Sequence, residues 1–390
     1  MSRELNRRAL RATLTLAAAG AAILAAAGGS ALAAMPASSH AAACVSKASA
    51  PVRAGHIAGV VGAVPASRAC RAANSGINRA GDPAQGTPPL IFHGGPVMGT
   101  SQTGTLVITP IFWNPSGHPM AAAYKSLISQ YIGDVAAASG SSSNVFAILP
   151  EYSGSNGSIR YAITQGAPIS DTHSLPASGC KVARSDTTGI YADGSGYNAC
   201  IDDAQVQAET NRVVTARHLP VNLAHVYVLY LPKHAETCFN AGSTTTSSNA
   251  CTINHQPSAA FCAYHSQASN GTVYGNLAFP IYQSGTGFTC GSDGSFGAIE
   301  SPNSNPDGDT VINPTSHEVS EAITDPDTMT GWFDSSGFEI GDECNFTYGT
   351  TQGASGQAFN QSINGHNYLT QEEFSNSSFA ASGGGCLQHP

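Results

Sequence analysis

Ten cysteines lie between Cys44 and Cys386, all behind an N-terminal stretch that reads as an export signal. An even number of cysteines in an exported chain predicts disulfides, and each bridge limits how far the segments it joins can part. Pairing nearest neighbours gives Cys44–Cys70, Cys180–Cys200, Cys238–Cys251, Cys262–Cys290 and Cys344–Cys386. No C-x-x-C occurs, so a cysteine zinc cluster is disfavoured against structural bridges. The signal is expected over residues 1–33: Arg3, Arg7, Arg8 and Arg11 precede an Ala/Leu/Ile run, and Ala31, Leu32 and Ala33 form a small-residue cleavage site. A membrane anchor is the rival reading, but the apolar run is short and rich in Ala and Gly. Export by the general or the twin-arginine route is left open, because the arginine pair matches the latter poorly.

Removing the signal takes away four arginines and one glutamate, and the formal charge goes from −9 to −12. Such a chain lacks the Lys/Arg patches that neutralise phosphates, so nucleic acid is excluded as a partner. Only 11% of residues are charged and 42 are glycine, which suits a secreted, loop-rich globular protein. No later segment is apolar enough for a stable membrane anchor after signal cleavage.

Residues 34–88 are rich in Ala, Ser, Pro and Gly and are read as a flexible N-terminal segment. A globular domain is expected over 89–390. Residues 106–113 (LVITPIFW) predict a buried strand, with Pro110 suggesting an edge or bulge. Residues 120–138 carry apolar side chains at helical spacing. Strands are predicted at 144–149, 159–163, 225–231, 259–265 and 277–282, and a second helix from Asp202 or Asp203 to about His218. A loop over 291–314 leads to a short helix over 315–324, which Pro326 ends. This order predicts an α/β (α+β) fold: a mixed sheet with packed helices and a loop-rich, disulfide-bonded C-terminal part. Zincin-type peptidases show a similar order, with a metal-binding helix packed beneath a sheet.

That short helix carries His317-Glu318-Val319-Ser320-Glu321, an H-E-x-x-E pattern. Positions i and i+4 share a helical face, so His317 and Glu321 are placed to grip one metal ion, with Glu318 beside them. Imidazole and carboxylate are both zinc ligands. A catalytic zinc acidifies water, and a neighbouring carboxylate takes the proton; Glu318 is the candidate base. The third ligand is expected from Asp342 or Glu339, with Asp325 behind them. The competing reading is that Glu318 and Glu321 favour the helix electrostatically and Asp325 serves a turn.

Weaker signals surround this one. Residues 303–309 resemble the first half of a calcium loop, but the twelfth position is Pro314 instead of Glu. His93 sits in a tight H-G-G-P turn. Tyr264 and His265 end a predicted strand and are candidates to polarise a carbonyl near a metal, against the plainer reading of a packed pair. No G-x-S-x-G serine elbow occurs. Glu318 and Glu321 are also formal candidates for a glycosidase pair, though their spacing is not diagnostic.

Five pieces in order resemble the exordium-like (phosphate-induced protein 1) family, over about residues 90–390. They are His93-Gly94-Gly95-Pro96 before Ile111-Phe112-Trp113; Cys262-Ala263-Tyr264-His265; Pro302-Asn303 with Asp307-Gly308; His317-Glu318-x-x-Glu321-Ala322; and Trp332-Phe333 with Glu339-Ile340-Gly341-Asp342-x-Cys344. The resemblance implies a secreted protein in which His317, Glu318, Glu321, Glu339 and Asp342 share one site. Asp325 stands where plant members often carry Asn, which weakens it as an obligatory ligand. The family carries no settled reaction. The expectation is therefore a secreted zinc hydrolase acting on an extracellular peptide or cell-wall polymer. The alternative is a non-catalytic extracellular protein that keeps the acidic site for structure or binding.

Overall fold

The computed structural model describes residues 52–54, 57–61, 82–180, 198–241, 251–252, 261–280, 290 and 300–390. The expected signal and the Cys44–Cys70 pair lie outside them. All of these residues belong to one compact unit, His40–Pro390.

The main sheet and the helices on it begin, in chain order, with strands β1 (Val52–Ala54), β2 (Ile57–Val61) and β3 (Leu106–Trp113). Helix α1 (Ala122–Ala137), β4 (Ile163–Gln165), β5 (Ile169–Asp171) and helix α2 (Asp203–Ala216) follow. Then come β6 (His225–Tyr230), β7 (Phe261–Gln267), β8 (Val273–Leu277) and helix α3 (Pro306–Thr324). The sheet order is β1-β2-β7-β8-β6-β3-β4, with β5 also on β3. The β8, β6, β3, β4 and β5 pairings are parallel, whereas β1–β2, β2–β7 and β7–β8 are antiparallel. The fold is thus the mixed sheet with packed helices that the element order predicts.

Strand alternation divides the core in two. On β6, Val226, Val228 and Tyr230 face one cluster with α1 and α3, while Tyr227 and Leu229 face another with Val206, Val213 and Val214 of α2. The helices therefore cover both faces. Asp202 and Gln205 close α2 with a capping box, the start expected for it.

Several expectations change. Strand β3 is central, not an edge: Pro110 sits where its neighbour switches from β4, ending opposite Ile108, to β5, starting opposite Ile111. Residues 145–151 form a 3₁₀ turn in place of a strand, because Asn144 caps it by accepting from Phe146 N and Pro150 cannot continue a ladder. The segment 34–88 is not without regular structure, since β1 and β2 extend the sheet beside β7. The packed chain also begins before residue 89: Gly86 N donates to Glu343, and Thr87 N donates to Asp334.

The largest change concerns α3. It starts at Pro306, capped by Asn305, and spans Pro314. The Pro, Asn, Asp and Gly content of 303–314 reads as loop, but from Gly308 to Thr324 every residue is buried, and packing on both sides overrides propensity. Asp309 accepts from Ser301 Oγ at 2.6 Å and from Asn303 Nδ2 at 2.7 Å, so the calcium-like residues fold as the polar entry to this helix.

Four of the five expected disulfides are present: Cys180–Cys200, Cys238–Cys251, Cys262–Cys290 and Cys344–Cys386. Among the described residues no helix is long and apolar enough to cross a membrane.

Candidate metal centre

Three elements meet at the site. Strand β7 presents His265, helix α3 presents His317, Glu318 and Glu321, and the turn 339–344 presents Glu339 and Asp342. The turn is held on α3 by Asp342 N, which donates to Glu321 Oε1 at 3.1 Å. Cys344–Cys386 and the bond from Phe374 N to Ile340 O fasten it to the C-terminal tail. Gln371 Nε2 donates to Gly341 O at 2.6 Å.

His317 Nε2 lies 3.0 Å from Glu321 Oε1 and 3.6 Å from Asp342 Oδ1. His265 Nδ1 lies 3.1 Å from Glu318 Oε2 and 3.5 Å from Glu321 Oε2, and its Nε2 is 3.7 Å from Glu339 Oε1. Two sets of side chains each gather three ligand atoms within 4.8 Å: His317, Glu321 and Asp342, and His265, Glu318 and Glu321. All of these residues are at most 3% exposed.

Both ring nitrogens of His317, Glu318 Oε1 and Glu321 Oε2 are buried and make no hydrogen bond, despite the short separations. The short approaches among them lack hydrogen-bond geometry, while the ligand atoms of each set still gather within 4.8 Å. Five buried carboxyls (Glu318, Glu321, Glu339, Asp342 and Glu373) crowd two imidazoles. Burying that much like charge is costly unless protons or a cation neutralise it. In the cation-free protein, protons do so. Burial pushes the Glu318 carboxyl up to about 7 and Glu373 well above the usual range. Burial alone would lower both histidines, but the surrounding carboxylates outweigh it and hold them well above the ordinary imidazole value. Burial works to raise Glu321 as well, yet the two imidazoliums beside it hold it below the usual carboxylate range. One imidazole and two carboxylates form a donor set that zinc accepts, so the residues present fit a divalent cation.

The other candidates separate from this centre. Asp325 spends its carboxylate on the turn after α3, accepting from the amides of Met329 at 2.8 Å, Thr330 at 3.1 Å and Gly331 at 2.6 Å. It reaches the site only through its carbonyl, 3.2 Å from His265 Nε2. Tyr264 faces away from His265, as strand alternation requires, and donates to Asp203 Oδ1 at 2.9 Å. His93 stacks on Phe333 at 3.5 Å. Glu373 was missed by the sequence reading; its only signal is the acidic pair Glu372-Glu373 in a lightly charged chain. A second cluster, Asp171, His173 and Glu209, already has a cation in Arg212, which lies 2.6 Å from both Asp171 and Glu209.

Comparison with protein-family models, characterised proteins and solved structures finds no match.

Proposed function

We propose that this chain is a secreted metal-dependent hydrolase, related to the exordium-like proteins, that cleaves an extracellular peptide. One observation carries the reading: His317, Glu321 and Asp342 bring three buried ligand atoms within 4.8 Å of one another on an H-E-x-x-E helix. A divalent cation held there, zinc by its donor set, supplies Lewis acidity and acidifies nearby water.

The chain's own residues do the rest. Glu318 projects beside the cluster, with Oε2 fixed by His265 Nδ1 and Oε1 free of hydrogen bonds. A carboxylate with one oxygen held and the other unbonded is placed to exchange a proton with water. Glu318 Oε1 takes a proton from water as the water oxygen bonds to the peptide carbonyl carbon. It then gives that proton to the departing amine as the C–N bond breaks. His265 is a positioning residue: it holds Glu318 and is itself anchored on the Asp325 carbonyl. The four disulfides support an oxidising, extracellular or periplasmic setting for this activity.

A second reading has its own support. The cluster is buried throughout, which favours a non-catalytic extracellular protein whose cation serves stability or binding of a cell-wall polymer. Glu318→Gln separates the two. Zinc retained with peptide hydrolysis abolished supports the hydrolase; wild-type protein that holds one zinc per chain yet cleaves no peptide supports the second reading. Protein purified without chelator that carries no zinc defeats the first outright.

A further inference from the structure

Glu321 belongs to both triads, and its two carboxylate oxygens serve different partners. Oε1 is 3.0 Å from His317 Nε2, and Oε2 is 3.5 Å from His265 Nδ1. A carboxylate that offers one oxygen to each side is the usual bridge between paired cations, which sit about 3.5–4 Å apart. His265 adds an independent observation. Its Nε2 lies 3.2 Å from the carbonyl of Asp325, and a carbonyl only accepts, so the ring proton sits there. A metal ion that displaces the Nδ1 proton therefore meets the Nδ1 lone pair together with Glu318 Oε2 and Glu321 Oε2, two further acceptors. These ligand atoms lie within 4.8 Å of one another, and Glu321 Oε2 and Glu318 Oε1 are buried and unbonded, so a cation in place of that proton would satisfy them. A carbonyl fixing the distal nitrogen of an imidazole is also how metal-ligating histidines are oriented.

We propose that His265, Glu318 and Glu321 hold a second divalent cation, bridged by Glu321 to the one on His317, Glu321 and Asp342. This rests on the first cation of the proposed hydrolase. It adds a regulatory consequence. Glu318 is the base when the second position is free and a ligand when it is filled, so excess cation withdraws the base and inhibits.

The test uses the full mature chain, stripped with chelator and equilibrated with rising free zinc, reading zinc per chain by atomic emission. The expected result is two zinc ions in two steps. His265→Ala should stop at one, and Glu321→Gln should lose both. In parallel, wild-type protein loaded with cobalt(II) should give a spin-coupled signal at two equivalents, a readout that does not depend on any variant folding. Peptide hydrolysis should fall about a hundredfold between the first and second equivalents, the scale of a lost general base. Saturation at one ion, or uncoupled cobalt, overturns the second position and leaves the hydrolase reading standing. No bound ion at any concentration overturns both.

Discussion

Gly341 lies flat against the imidazole of His317: a Cβ on Gly341 would sit 2.8 Å from both Cγ and Nδ1 of that ring. The absence of a side chain in the turn 339–344 is therefore what lets Asp342 approach within 3.6 Å of His317. Gly341 has φ −80°, which any residue adopts, so the requirement is steric and not conformational. Gly341→Ala should lower stability by about 1–3 kcal/mol, as overpacking does, and should weaken zinc binding. Thermal unfolding and a zinc titration of the variant check this; unchanged affinity would mean that the turn does not position a ligand.

Asp325 and Asp342 are both buried acids near the centre, but they do different work. Asp325→Ala strips three amide donors of their acceptor and should cost about 3 kcal/mol of stability. Its zinc content, measured well below its melting temperature, should stay at the wild-type level. Asp342→Ala should show the reverse balance, with zinc content falling more than stability. Loss of zinc in Asp325→Ala would restore it to the ligand set.

Cys344–Cys386 joins the turn that carries Asp342 to the strand pair formed with Phe374. Replacing both cysteines with serine should cost about 2–5 kcal/mol and weaken zinc binding more than loss of Cys180–Cys200, whose Cys200 lies just before the start of α2. Chemical denaturation of the two double variants, followed by zinc titration, measures the difference.

Glu372, next to Glu373 but facing Asp82, gives a pH dependence of its own. Burial, with Asp82 beside it, pushes its carboxyl up to about 9. The unfolded chain loses this proton near the ordinary glutamate value of about 4.3, while the folded chain keeps it to about 9. Above the lower value the unfolded state binds fewer protons, so this group makes stability fall as pH rises across that window. Glu372→Gln should remove the fall, so that the variant gains on wild type from pH 5 to pH 9. Urea midpoints at several pH values test it; parallel profiles would refute the assignment.

What the sequence by itself determined are the features written in local order. The β-branched and aromatic run at 225–230 and the helical spacing of 122–137 specify their elements, because a short apolar run suits a strand buried on both faces and a 3.6-residue spacing suits a helix buried on one. The i, i+4 spacing puts His317 and Glu321 on one helical face, and nearest-neighbour cysteine pairing fits four bridges because each closes a short stretch of chain.

Tertiary structure alone decided the rest. It extended α3 back through Pro314 to Pro306, since burial on all sides outweighs the weak preferences that read as a loop. It assigned Asp325 to a turn and Asp342 to the cluster, although both stand close to the motif in sequence. It set His265, more than fifty residues upstream, against Glu318, and brought in Glu373 from the tail. Spacing fixes which side chains share one helix face. Which strand and which turn close over that face depends on how the sheet and tail pack around it, and no local pattern records that.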